Sequence, residues 1–345
     1  MRRRDFVGLM GTAASVVLVG GGPASADRVR VLPGIDRPED QPAGGEKIPA
    51  LETFLDGVRV GELRAHGALA VFWLHAASPT TVLDVVTLDE ARARGDVVVS
   101  ERADASVSVL VTENRGKRHV LLLAGEIVVG GKQNRVVAED VLLPPVSGPR
   151  QIAVYCVEQG RWASTAKDFV APGSLAAPKL RSELLARPAQ QQVWNEVSRY
   201  AARAAAPSPT GSFQAVFDKP EVQAHQQQTV NAIDAKTPPD TRGAAVFVGE
   251  SFSGIDLFHD ATLFAREWPK LLRAHAIETY GRAPADAVGD ASLRARLKVL
   301  LTGASAAEGR KRPTPGTGAL FEFRVEQTRG TALVAEGQVV HAALL

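Results

Sequence analysis

The chain has 345 residues, 45% of them hydrophobic and 23% charged, the balance of an ordinary globular protein with one large or two smaller domains. Residues 1–26 carry three arginines and one aspartate, and the rest holds 37 basic and 37 acidic side chains, so the formal net charge of +2 resides at the N-terminus. A neutral remainder lacks the basic footprint of a nucleic-acid binder, and a single cysteine, Cys156, excludes an intrachain disulfide and a multi-cysteine metal site.

Arg2-Arg3-Arg4-Asp5-Phe6 precedes an apolar run over 7–19 and then Ala24-Ser25-Ala26. This is the order of a charged n-region, an apolar h-region and an A-x-A cleavage site. The paired arginines ahead of Phe6 resemble the twin-arginine signal, which a dedicated machine reads on folded cargo. The alternative is a membrane anchor, but a spanning helix needs about 20 apolar residues and this run is shorter. The expectation is therefore export to the periplasm or beyond, cleavage near Asp27, and no membrane contact afterwards. Residues 27–50, rich in Pro, Gly and charge, read as a linker.

From residue 51 the pattern is that of strands. Val58 and Val60 alternate with polar neighbours, and 68–74 and 81–86 are apolar runs. Thr87-Leu88-Asp89-Glu90 fits a capping box opening a short helix that Gly95 ends. Strand patterns resume over 97–100 and 106–112, then over 120–123, 127–129 and 152–157.

Beyond Trp162 the character changes. Pro172 and Pro178 bracket a loop, and Val193, Val197, Tyr200 and Ala204 fall at helical spacing within 190–206. Asp218 and Pro220 open a helix with Val222, Gln226, Val230 and Ile233 on one face. Two strands, 244–248 and 255–258, flank a turn, and Asp260 caps a helix that Pro269 kinks or restarts. Leu293, Leu297 and Leu300 mark a last helix. Residues 303–318 read as polar and mobile, and Phe321, Phe323 and Val325 as a strand turned at Arg329-Gly330 into a hairpin. The expected fold is a single α+β domain over 51–345. It has a mostly antiparallel sheet or sandwich in 51–175, and helices plus a terminal β-hairpin in 176–345.

Familiar sites fail on single residues. Gly125 and Gly130 have phosphate-loop spacing, but Gly131 stands where the lysine is needed. Gly249-Glu250-Ser251-Phe252-Ser253 resembles a nucleophile elbow without its closing glycine. The seven histidines are scattered without a His-x-x-x-His pair, so no metal and no cofactor is expected. Cys156 sits in an apolar run and reads as a small buried hydrophobe.

Two dense polar groups interrupt the central strands. Lys132-Gln133-Asn134-Arg135 follows two glycines, and Glu158-Gln159-Gly160-Arg161-Trp162 closes the 152–157 run. As a strand, the first would put Lys132 and Asn134 on one face, Gln133 and Arg135 on the other. Burying both faces unpartnered costs several kcal/mol, so one must meet solvent or a ligand. In a ligand site Lys132, Arg135 and Arg161 would meet negative charge, Gln133, Asn134 and Gln159 would fix orientation, and Trp162 would stack. Glu126, Glu158 and Asp256 are the candidate catalytic acids or bases. The alternative is a self-satisfied network, for instance Glu126 or Glu158 paired with Arg135 or Arg161. Asp256, inside an apolar run, needs a cation if buried, and Lys132, Arg135 and Arg161 are the expected partners.

Gly125-Glu126, Gly131 through Arg135, Cys156 through Trp162, Gly254 through Phe258 and Trp268-Pro269-Lys270-Leu271-Leu272 resemble one bacterial family over roughly residue 51 to the C-terminus. It is the domain named for its association with ADP-ribosylglycohydrolases and rhodanese–phosphatase proteins. The resemblance implies a link to NAD-derived compounds such as ADP-ribose and brings no catalytic mechanism. Two functions follow as expectations. One is an exported domain that binds or processes a polar anionic small molecule. The other is a non-enzymatic structural or protein-interaction module with an internal polar network.

Overall fold

The computed structural model describes residues 45–79, 81–102, 107–233, 236–282 and 289–345. The signal read over 1–26 and the linker up to residue 44 lie outside them. In chain order the first elements are β1 (Glu46–Lys47), α1 (Pro49–Asp56), β2 (Arg59–His66), β3 (Leu69–His75), β4 (Val85–Thr87) and α2 (Leu88–Ala93). Then come β5 (Val97–Glu101), β6 (Val109–Asn114), β7 (His119–Leu122), β8 (Ile127–Val128), β9 (Arg135–Val137), β10 (Val141–Leu143) and β11 (Gly148–Cys156). The second half holds α3 (Pro178–Leu185), α4 (Gln190–Arg203), α5 (Gln214–Asp218), α6 (Pro220–Ile233), β12 (Thr241–Val248), β13 (Ser251–Phe258) and α7 (Ala261–Thr279). It ends with α8 (Asp290–Ser305), β14 (Glu308–Pro313), β15 (Ala319–Val325), β16 (Thr328–Ala335) and β17 (Gln338–Leu344). The fold is α+β, strand-rich in its first half and mostly antiparallel; β4 and β7 form the parallel pair.

Nine strands form the largest sheet, in the order β1-β14-β15-β16-β17-β13-β12-β3-β2. Its central strands are mostly apolar because both faces are covered, with Asp256 of β13 and His341 of β17 among the buried exceptions. In β3, Leu69, Val71 and Trp73 pack toward α7, whose Phe264, Trp268, Leu271 and Leu272 meet them. Ala70, Phe72 and Leu74 pack the other way, with Leu51 and Leu55 of α1 and Leu293, Leu297 and Leu300 of α8. The Trp73 and Trp268 rings meet edge to face at 5.1 Å between centroids. A three-stranded sheet, β10-β7-β4, and a five-stranded one, β5-β6-β11-β9-β8, enclose a separate apolar core. Among the described residues no helix is long and apolar enough to cross a membrane.

The Thr87 capping box forms as read, with Glu90 N donating to Thr87 Oγ1 at 3.1 Å and Thr87 N to Glu90 Oε2 at 3.0 Å. Asp260 caps α7 through Thr262 N and Leu263 N. Other readings need correction. The end of the expected linker forms β1 and the start of α1. Pro178 does not close a loop; it opens α3 at the first helical position, where a missing N–H costs nothing. Asp218 ends α5, and α7 runs through Pro269 without a break.

Residues 308–313, read as mobile, are strand β14, fixed by pairing to β15 and by Arg312, which reaches Glu139 and Glu322 at 3.1 and 2.9 Å. The C-terminal hairpin is a four-stranded meander. It turns at Glu326 (φ +54°), and Gly330 lies inside β16, where a Cβ would come within 2.3 Å of the Phe323 ring. Glycine there reports a close approach rather than a turn.

Candidate functional site

Two of the three candidate acids, Glu126 and Asp256, lie in adjoining buried ionic clusters, Glu126 with Lys270 of α7 and Asp256 with Arg181 of α3. Asp256 on β13 shares a face with His341 on the neighbouring β17. Its partner is Arg181 of α3, not Lys132, Arg135 or Arg161. Arg181 donates from Nη1 and Nη2 to the two Asp256 oxygens at 3.0 and 2.6 Å and from Nε to Ala124 O at 3.1 Å. His341 bridges two carboxylates, with Nδ1 2.7 Å from Asp140 and Nε2 3.1 Å from Asp256. Both nitrogens can donate only in the imidazolium. Burial alone would lower the His341 pKa, but the two carboxylates outweigh it and hold it up at about 9. Burial likewise opposes ionisation of Asp256, and Arg181 and His341 overcome it, leaving the carboxyl well below its ordinary value. The unit carries two cations and two anions.

Gly125 lets this geometry exist. Its φ is +100°, and a Cβ there would lie 2.7 Å from Arg181 Cγ. The Ala124–Glu126 turn therefore passes directly against the arginine stem.

Glu126 belongs to an adjoining cluster around Lys270 of α7. Lys270 Nζ lies 2.9 Å from Asp89 and 2.9 Å from Glu267, and it donates to Glu126 Oε1. Glu126 Oε2 accepts from Leu123 N at 3.1 Å. One lysine cannot neutralise three carboxyls. Burial, eased by Lys270 and worsened by Glu267 and Asp89, raises Glu126 to about 8, and burial raises Glu267 as well. Glu126 thus holds a proton more tightly than an ordinary carboxyl. A hollow that meets the Asp256 cluster at Asp140 holds about 20 Å³, room for a water and nothing larger.

Glu158 and the two polar groups form a second, separate assembly. Residues 131–134 make a bend, so the face alternation a strand would give them does not arise, and β9 begins at Arg135. Arg161 reaches back over this bend. Its Nε donates to Glu158 Oε2 at 3.0 Å, Nη1 to Gly131 O and Thr165 Oγ1 at 2.6 and 3.1 Å, and Nη2 to Gly130 O and Asn134 Oδ1 at 3.1 and 3.0 Å. Glu158 also accepts from Asn134 N and Thr210 Oγ1. Burial opposes its ionisation, and these donors win, holding its pKa below the ordinary value. Gln133 and Arg135 turn inward: Gln133 donates to Gln159 O and accepts from Cys156 Sγ, and Arg135 donates to Val107 O and Gln133 O. Cys156 is fully buried, with its thiol pushed up to about 11 by burial.

The predicted ligand residues therefore divide. Gln133, Asn134, Arg135 and Arg161 spend their side-chain donors on the chain itself. Gln159 faces solvent, Trp162 is 60% exposed, and among the described residues no ion pair engages the Lys132 ammonium. Beside them opens a hollow of about 460 Å³ lined by Ser100, Glu101 and residues 164–167. The network adjoins its lining at two points: Lys132 N donates to Glu101 Oε1 at 2.8 Å, and Arg161 holds Thr165.

Sequence reading missed Arg181, Asp140, His341, Lys270 and Glu267. Lys270 and Glu267 carried one usable signal, charges on the apolar face of a helix. His341 and Asp140 sit in segments whose strands were not read. Ser253 of the failed elbow hydrogen-bonds His275 Nδ1 at 3.1 Å, and burial lowers this histidine to about 4, so it stays neutral.

A family model described as the ARG and Rhodanese-Phosphatase-superfamily-associated Protein domain, ARPP-1, matches residues 57–345. No curated protein and no solved structure matches the chain.

Proposed function

The chain belongs to the ARPP-1 family, and from that premise we propose that it is an exported domain that binds a polar anionic small molecule of the ADP-ribose class. The carrying observation is the hollow of about 460 Å³ whose lining Thr165 is held by Arg161, a volume within the range of small-molecule sites. Lys167 supplies positive charge in the lining, with Lys132 adjoining it through its backbone bond to Glu101; Ser164 and Thr165 supply hydroxyls, and the Trp162 indole stands exposed two residues before the lining begins. The network of Arg161, Asn134 and Glu158 adjoins this lining. The family's association with ARG and rhodanese–phosphatase proteins supports an NAD-derived ligand over other anions. The arginine-led N-terminal segment supports export.

A second reading, a non-enzymatic structural or protein-interaction module, draws on one observation. Every polar group of Arg161 is satisfied internally, so the network is complete without a ligand.

Calorimetric titration with ADP-ribose, AMP and ribose 5-phosphate separates the two. Saturable ADP-ribose binding that Lys132→Ala/Lys167→Ala weakens about tenfold or more supports the ligand reading. No heat from any of the three, or binding indifferent to that double variant, favours the structural module.

A further inference from the structure

A second hollow lies on the opposite type of wall, helices rather than loops. It occupies about 410 Å³ between α3, α4 and the C-terminal end of α7. Lys179, Arg199, Arg203 and Arg282 line it, over the carboxylates of Glu196 and Glu278. The helical period explains the convergence: Glu196, Arg199 and Arg203 recur at three- and four-residue steps along one stripe of α4, and Glu278 and Arg282 along α7 and its exit.

Glu278 organises the arginines. It is 6% exposed, accepts from Tyr200 OH and from Lys179 N, and stands 3.6 Å from both Arg203 Nη1 and Arg282 Nη2. Those two contacts are ion pairs too long for hydrogen bonds, so the guanidinium forks are held near the carboxylate with donors to spare. Arg203 is set further by donating to Ile277 O at 2.8 Å and by stacking 4.8 Å over the Tyr200 ring. Arg199 commits one nitrogen to Glu196 at 2.6 Å. Lys179 also reaches Glu183, outside the lining, at 3.0 Å. Counting that carboxylate, four cations still face three anions. The Arg199 and Arg282 side chains are 72% and 47% exposed, open to an incoming group.

We infer that this hollow is an organic-phosphate site. Planar forks with unspent donors match the oxygens of a phosphate. The volume exceeds what orthophosphate fills and suits a phosphorylated small molecule. The site goes beyond the reading given above and shares no residue with it.

Pyrophosphate is the probe, titrated calorimetrically into the full chain. One equivalent binds, more tightly than orthophosphate, and Arg199→Gln/Arg282→Gln weakens it about tenfold or more. Arg282→Gln alone leaves Arg203 on Glu278 and the fold intact, and weakens binding part of the way. Lys132→Ala/Lys167→Ala leaves it unchanged, which separates this site from the first. Absence of saturable pyrophosphate binding overturns the inference, as does affinity that survives both arginine variants.

Discussion

Arg181 and Asp256 lie 75 residues apart in the chain and meet through two N–H···O bonds, with both side chains almost completely buried. The pair ties α3 to the centre of the nine-stranded sheet. Arg181→Ala strands a buried carboxylate and should cost about 3–5 kcal/mol. Urea unfolding of the variant measures it. A loss below about 1 kcal/mol would mean that Asp256 finds another cation or stays hydrated.

His341 and Glu126 act on pH stability in the same direction. His341 is raised from 6.5 to about 9, so its stabilisation is complete below about 6.5 and lost as pH rises through 9. Glu126 is raised from 4.5 to about 8, so the folded state keeps a proton that the unfolded chain releases above about 4.5. Stability therefore falls with rising pH across both windows. Asp256 works the other way: its pKa is lowered, so its contribution is present above the ordinary 3.8 and lost as pH falls through the lower folded value. Urea midpoints should peak on the mildly acidic side. Glu126→Gln should flatten the slope up to about pH 8, and His341→Gln the slope toward 9. Midpoints that climb steadily from pH 5 to 9 would contradict both assignments.

Arg161→Ala should lower stability by about 3 kcal/mol even with no ligand present, because Glu158 is left buried against Asn134 and Thr210 without its cation. Trp162→Ala should leave the melting temperature nearly unchanged, since the indole is mostly in solvent. Thermal melts of the two variants side by side test the division between network and rim.

Gly125→Ala combines a left-handed backbone with a methyl group pressed onto the Arg181 stem. A cost of about 2–4 kcal/mol is expected, above the 1–3 for strain alone. A midpoint near that of the unmodified chain would show that the turn can move aside.

Arg3→Lys/Arg4→Lys should hold the precursor inside the cell if the arginine pair before Phe6 is an export signal. Immunoblots of fractionated cells give the answer, and unchanged export sinks the proposal.

Local chemistry was readable wherever one segment decided it. Thr87 with Glu90, Asp260 before its helix, and Val193 through Tyr200 each needed only neighbours within a turn. The 120–123 and 152–157 runs were readable for the same reason. Partner choice was not. Asp256 visibly needed a cation, but its own sequence cannot distinguish Arg161 from Arg181, because that depends on β13 lying beside β17 and over α3. Pro178 hid Arg181 by reading as a loop boundary. Lys132 through Arg135 looked like one functional unit, yet a single bend leaves Lys132 half-buried and buries the other three.

The place of β17 bears on the order in which the protein can be completed. It is the last strand of the nine-stranded sheet along the chain, yet it lies inside, hydrogen-bonded to β16 on one side and β13 on the other. Until residues 338–344 are in place, β2, β3, β12 and β13 remain one half-sheet and β1, β14, β15 and β16 another. Asp256 and Asp140 then wait without the histidine that joins them. Each half-sheet therefore keeps one interior edge unpaired until β17 inserts, and any route out of the cell that accepts only folded passengers can act only after that strand has closed the gap.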